Sequence, residues 1–394
     1  MSKLKKYSNF QLLWLGITSL ISFLIGSLYD LMNPIRNKPV KDKDNIHSII
    51  VFAWRGRGIG DLLLLTPALE VLRNNFHSAR IILVVSNSLA QTVLGTNPHI
   101  DEIIIKDPFL LYRIDRIFRL GRELSVLKPD IFLVSTGIDP IGATLIAFFS
   151  GAPFRVGLNW RSRGFLYTHK VKVYPDSHEI QRNLDLAKSL GAKTDNVRPR
   201  FYLNSENIKY VDKLLLEHGI KNNEILIGIH PGSSEHEKWK RWNWKKFAAL
   251  SDILMEKYNI KPIFFLGPSE YDLADKLLSV ATNKPIIIKE LSLGLTAALI
   301  ARCSLFLSND SSLMHMAVAL DIPTIGIFGP TSSKQFGPWG KKHKVIRADI
   351  DCAPCYYSDD RMNCDGIRCL KMISVEDMMR QLSERMEEIT LPLK

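Results

Sequence analysis

The chain has 394 residues, too many for one ordinary hydrophobic core, so two domains are expected. Its 46% hydrophobic and 23% charged content place it among globular proteins, and a net charge of +12 favours an acidic partner. No zinc finger, heptad zipper, short repeat or long low-complexity tract is present, which argues against nucleic acid as that partner.

Residues 10–29 carry no charge, and about 20 such residues span the hydrocarbon core of a bilayer as a helix. Lys3, Lys5 and Lys6 precede the segment, and Arg36, Lys38, Lys41 and Lys43 follow it, so flanking charge sets no orientation. Gln11, Thr18, Ser22 and Gly26 share one helical face. That stripe reads either as the small-residue seam of paired membrane helices or as the wet side of a helix lying in the interface. A cleaved signal peptide is a third reading, but no small-x-small cleavage site follows. The expectation is an uncleaved N-terminal membrane anchor with a basic linker over residues 1–44.

Residues 49–53 form an apolar strand that runs into Gly56-Arg57-Gly58-Ile59-Gly60-Asp61, and residues 62–73 read as a helix. Strand, glycine-rich turn and helix open a doubly wound domain. The glycine spacing is GxGxG and no ribose-binding acid ends the next strand, which disfavours a dehydrogenase. Strands are expected at 81–85, 103–105, 131–135 and 155–158, and helices at 113–127, 141–149 and 179–190. Asp61 is placed to cap the helix that begins at Leu62. Arg113, Arg116, Arg119 and Arg122 recur every three residues beside Ile114, Ile117 and Phe118. Arg161 and Arg163 flank Ser162 in a loop after Trp160. Both patches suit phosphate or carboxylate groups, and both equally describe a solvated face.

Residues 195–205 are polar, carry Pro199, and read as the interdomain linker. A helix at 206–217 and a strand at 225–229 follow. The strand ends in His230-Pro231-Gly232-Ser233-Ser234, a small-residue turn able to present amides to phosphate. Lys240 follows within Lys238-Trp239-Lys240-Arg241-Trp242. Packing is preferred to sugar stacking for Trp239, Trp242 and Trp244. Residues 244–257 read as a helix and 262–266 as a strand ending at Gly267 to Glu270. Leu291 precedes a helix at 296–301.

Residues 304–308 then form a strand, Asn309 and Asp310 break it, a helix runs from Ser311, and residues 322–328 are a second buried strand. Ligands of open parallel sheets bind at such a junction, and a helix N-terminus attracts phosphate. His315 lies one turn into that helix; Asp310 as a plain cap with His315 half exposed is the alternative. Cys352, Cys355, Cys364 and Cys369 suit one tetrahedral zinc or iron, or are reduced thiols. Cys303 reads as packing, and residues 374–388 as a final amphipathic helix.

SNDSSLMHMA at 308–317 followed by GPT at 329–331, together with GIGDLLLLTPAL at 58–69, resembles glycosyltransferase family 9, the ADP-heptose:lipopolysaccharide heptosyltransferases. The resemblance covers roughly residues 48–380. It implies α/β GT-B architecture: two Rossmann-like domains, here 45–200 and 201–394, facing a cleft. It implies inverting transfer without a catalytic metal or cofactor, with Asp61 as base. It places Lys240 and Ser233 on the donor's phosphates, Glu270 on the ribose and Leu291 against the base. Asp310 falls on the sugar hydroxyls and the Ser311 and Ser312 amides on the diphosphate, with His315 nearby. Where the family commonly has glycine, this chain has Ser312.

The implied partners are a nucleotide-sugar donor, ADP-heptose, and an anionic glycolipid acceptor such as lipopolysaccharide core, held by Arg113, Arg116, Arg161 and Arg163. Nucleotide sugars are cytoplasmic, so the expected location is the cytoplasmic face of the inner membrane. Another nucleotide sugar, a protein acceptor, or a non-catalytic binding protein of the same fold are the alternatives.

Overall fold

The computed structural model describes residues 36–54, 58–107, 113–136, 140–160, 164–221, 224–357, 360–361 and 366–390. The expected anchor at 10–29, Arg161, Arg163 and Cys364 lie outside the described residues. Among those described, no helix is long and apolar enough to cross a membrane.

The chain divides into two units between Arg198 and Pro199. In the first, β1 (Ser48–Ala53), β2 (Arg80–Val85), β3 (Glu102–Ile105), β4 (Ile131–Val134), β5 (Phe154–Leu158) and β6 (His169–Val171) form one parallel sheet in the order β3-β2-β1-β4-β5-β6. The second holds β7 (Leu226–His230), β8 (Lys261–Phe265), β9 (Ile286–Ile288), β10 (Leu305–Asn309), β11 (Thr324–Ile327) and β12 (Lys344–Ile346), in the order β12-β11-β10-β7-β8-β9. Counted from each unit's own first strand, both read 3-2-1-4-5-6, the dinucleotide-fold order. The expected pair of Rossmann-like domains is present. Each sheet reverses direction once, between β1 and β4 and between β7 and β10.

The central strands are continuous apolar runs because helices cover both faces of a parallel sheet. All six residues of β1 are buried. On one face Ile50, Phe52 and Trp54 join Ile82, Val84, Phe132 and Val134, with Phe52 stacked on Trp54 at 5.2 Å. In the second unit Ile227, Ile229, Leu305, Leu307 and Phe264 make the core with Trp242, whose indole N–H donates to Ile373 O at 2.9 Å. Trp242 is therefore packing, as the sequence suggests. Trp244 packs against the same core, and Trp239 meets Tyr356 at 4.8 Å.

In the first unit, α1 (Ile59–Asn75), α2 (Leu89–Leu94), α3 (Ile114–Ser125), α4 (Pro140–Phe149) and α5 (Glu179–Ser189) flank the sheet. Helix α3 turns Ile117, Leu120, Gly121 and Leu124 inward. Gly121 lets α3 close on α4: a Cβ there would lie 2.5 Å from Phe149 Cβ. Residues 37–43, read from sequence as linker, are fastened to this unit. Asn37 N–H donates to Thr168 O at 2.9 Å, Val40 N–H to Leu190 O at 3.1 Å, and His169 Nε2 meets Lys38 O at 2.8 Å. Burial holds His169 below its ordinary pKa, so the ring stays neutral, and the Lys38 carbonyl only partly opposes this.

Candidate functional site

The carboxyl ends of β7 and β10 lie side by side at the second sheet's switch point, with His230 directly opposite Ser308. Open parallel sheets bind ligands here, because loops leaving neighbouring strands in opposite directions open a crevice. Next come a 3₁₀ turn, Glu235–Lys240, after β7, another at Pro268–Glu270 after β8, and the helix Ser312–Ala319 after β10.

Lys240 and Asp310 meet here as expected, with Nζ 3.2 Å from Oδ2. Glu237, unmarked in the sequence, is the second partner at 3.0 Å. Burial alone would lower the Lys240 pKa, but the charges of Asp310 and Glu237 outweigh it and raise it, so the ammonium stays charged. Asp310 is 6% exposed and paired to Lys240 rather than capping the helix. The N-cap is Ser311, one residue later than the plain-cap reading has it.

Glu270 is only 3% exposed. Its Oε2 accepts from Gly267 N–H at 2.8 Å and faces His230 Nε2 at 3.1 Å, while Oε1 lies 3.6 Å from Arg241. Desolvation would raise its pKa, but His230, the Gly267 amide and Arg241 together hold it below the usual carboxylate range. The carboxylate rests on Gly232, where a Cβ would fall 1.7 Å from Oε1. Ser233 is buried as well: its hydroxyl donates to Glu237 O at 2.9 Å and accepts from Arg241 Nε at 3.1 Å. Asn309 joins the turns, donating to Pro231 O at 2.8 Å and accepting from Trp242 N–H at 2.9 Å. Ser312 is half-buried at the start of the helix, His315 buried within it, and Leu291 half-buried before the helix Leu293–Ile300.

In the first unit α1 begins at Ile59 with Gly58 as N-cap, three residues before the helix start expected from sequence. Asp61 therefore sits exposed in the first turn, favourably placed at the positive end of the helix, and is not the cap. The expected basic stripe is only half available. Arg113 is paired with Asp115 at 3.1 Å and Arg116 with Asp107 at 3.1 Å. Arg119 and Arg122 are exposed, and Arg122 lies over the Phe118 ring at 5.1 Å.

The four-cysteine metal site finds no support: among the described residues no His, Cys, Asp or Glu group could hold a metal. Cys352 is exposed while Cys355 and Cys369 are buried. Cys303 is fully buried, and desolvation pushes its thiol up to about 12.

A family model described as glycosyltransferase family 9 (heptosyltransferase) matches residues 117–365. The protein belongs to glycosyltransferase family 9. Lipooligosaccharide heptosyltransferase 2 of Campylobacter jejuni is 27% identical over 331 residues, 82% of this chain and 94% of that one. Lipopolysaccharide heptosyltransferase 2 of Salmonella typhimurium is 26% identical, over 73% of this chain and 85% of that one. Among solved structures, the family 9 glycosyl transferase of Veillonella parvula superposes with a TM-score of 0.72 at 25% identity, covering 88% of this chain and 99% of that one. The fold is also that of E. coli ADP-heptose lps heptosyltransferase II, with a TM-score of 0.67 at 20% identity, covering 87% and 99%.

In this family 9 glycosyltransferase Lys240, Asp310, Glu270, Ser233 and Ser311 stand with four residues to which no site role was assigned from sequence: His230, Glu237, Arg241 and Asn309. His230 ends a buried strand, Arg241 adjoins Lys240 and Asn309 lies in the SNDSS motif, so their positions were legible as signals. Glu237 carried none.

Proposed function

We propose that this glycosyltransferase moves heptose from ADP-heptose onto a lipopolysaccharide-core or similar glycolipid acceptor, with inversion and without a catalytic metal. The observation that carries the reading is Lys240, held charged at 3.2 Å from Asp310 beside the N-terminus of the helix Ser312–Ala319. The relatives' names supply the sugar, and an E. coli heptosyltransferase of the same fold was solved with ADP.

The acceptor hydroxyl gives its proton to the Asp61 carboxylate as its oxygen bonds to the anomeric carbon. The bond from that carbon to the diphosphate breaks, and ADP leaves with the additional negative charge. Lys240 and the amides of Ser311 and Ser312 stabilise that charge as it develops. Asp310 orients the sugar hydroxyls. Glu270 and the Ser233 hydroxyl hold the phosphate turn in shape through their internal hydrogen bonds and stand ready for the ribose and phosphates of the donor. Leu291 and His315 line the same donor site.

The acceptor and the membrane are read together. Residues 10–29 serve as anchor on the cytoplasmic face of the inner membrane, where the donor is made. Ile114, Phe118, Arg119 and Arg122 are exposed on α3 and suit anionic lipid or its phosphates. Arg161 and Arg163 are offered to the acceptor on the same charge argument.

A panel of nucleotide sugars, with and without detergent-solubilised lipopolysaccharide core, tests the reading. Sugar transfer should require both ADP-heptose and acceptor. Transfer from a different nucleotide sugar, or from none, would remove it.

A further inference from the structure

We propose that His230 is a positioning residue that keeps the Ser311 hydroxyl off the helix Ser312–Ala319, leaving the first-turn amides open to the donor's diphosphate. The inference rests on the donor-site reading above.

Serine at an N-cap ordinarily accepts a hydrogen bond from the second or third amide of its helix. Ser311 has the extended backbone of a cap, φ −149° and ψ 167°, yet its side chain makes no capping bond. Asn204, Asn243 and Ser292 cap their helices in the ordinary way, whereas Ser88, Ser234 and Ser332, like Ser311, make no side-chain capping bond. Ser311 is buried, and its Oγ lies 2.9 Å from His230 Nδ1 and 2.9 Å from Ser308 Oγ.

His230 is itself fixed from the far side. Glu270 is ionised, and a carboxylate only accepts, so the His230 nitrogen facing it, Nε2, carries hydrogen. The Gly267 amide and Arg241 hold that carboxylate in turn. Nδ1 is left aimed at Ser311, and with either protonation of the ring the hydroxyls have partners. A neutral ring accepts from Ser311 O–H. A charged ring donates to Ser311, which donates to Ser308, which donates to Asn309 O at 2.8 Å. Both arrangements turn the Ser311 oxygen away from the helix.

Without His230 only the Ser308 hydroxyl holds the Ser311 oxygen, which can then rotate towards the first turn of the helix. That oxygen then stands in the first turn beside the Ser311 and Ser312 amides, where an incoming phosphate oxygen must approach. Charge-assisted hydrogen bonds are stronger than neutral ones, so loss of one predicts about a tenfold weaker diphosphate.

The test is a double-mutant cycle read by calorimetric titration of ADP into the full chain, using wild type, His230→Leu, Ser311→Ala and the double variant. His230→Leu should weaken ADP about tenfold in the wild-type background. In the Ser311→Ala background, where no hydroxyl remains to cap, the same change should cost less than about threefold. An equal loss in both backgrounds, or no loss in either, overturns the inference and makes His230 a packing residue. Failure of the wild-type protein to bind ADP removes the donor-site reading instead. Should His230→Leu not fold, His230→Asn is taken through the same cycle.

Discussion

At the scale of single residues, function turns on where each charge is placed, exposed or buried. Asp61 stands exposed on a helix's first turn, as a base meeting an incoming hydroxyl requires. Asp61→Asn is expected to lower kcat by about 10²–10⁴-fold while ADP affinity stays as in wild type. Steady-state kinetics beside ADP titration check this; an unchanged kcat ends the assignment. Glu270 is the opposite case, a carboxylate wholly committed inside. Its pKa is depressed in the folded state, so its stabilisation is present above the ordinary carboxylate value of 4.5 and is lost as pH falls through the folded value. Glu270→Gln leaves Arg241 and His230 facing a neutral amide and should cost about 3 kcal/mol at pH 7. The gap between the two chemical-denaturation curves should close on acidification below pH 4.5; a gap independent of pH would show that shape, not charge, matters there.

At the scale of elements, α3 does two jobs on two faces. Its inner face packs through Gly121 against α4, where a Cβ would sit 2.5 Å from Phe149 Cβ and 3.1 Å from Ile146 O. Gly121→Val should push the helices apart and destabilise the first unit by about 1–3 kcal/mol, measured by denaturant titration. Its outer face exposes Ile114 at 69% and Phe118 at 40%, with Arg119 and Arg122 alongside. A basic residue near an anionic surface contributes about 1 kcal/mol. The double change Arg119→Glu and Arg122→Glu is therefore expected to weaken salt-sensitive association with phosphatidylglycerol vesicles at least tenfold. Association with neutral vesicles, governed by residues 10–29, should not change. Equal behaviour on both vesicle types would leave α3 as a solvated face.

At the scale of the whole chain, two units repeat one strand order. The first carries the proposed base, and the second the residues proposed for the diphosphate. Residues 37–43 are hydrogen-bonded to the first unit. Much of this was readable from the chain alone. Unbroken apolar runs such as 49–53 and 81–85 specify buried parallel strands, and helix periods between them specify the winding, because both signals are local. The edge strands β6, β9 and β12 left no such trace, since three residues are too few to show a period. Asp310, Lys240 and the serines after β10 were legible because their motifs are short and contiguous. What only the tertiary structure decided was how those groups are partnered. His230 meets Glu270 across 40 residues of chain and Ser311 across 81, the first because β7 pairs with β8 and the second because β7 pairs with β10. Glu270 is buried against His230 and Gly267, and Arg113 and Arg116 pair with Asp115 and Asp107. A sequence records which side chains are present, whereas the sheet order fixes which of them end up within 3 Å of one another.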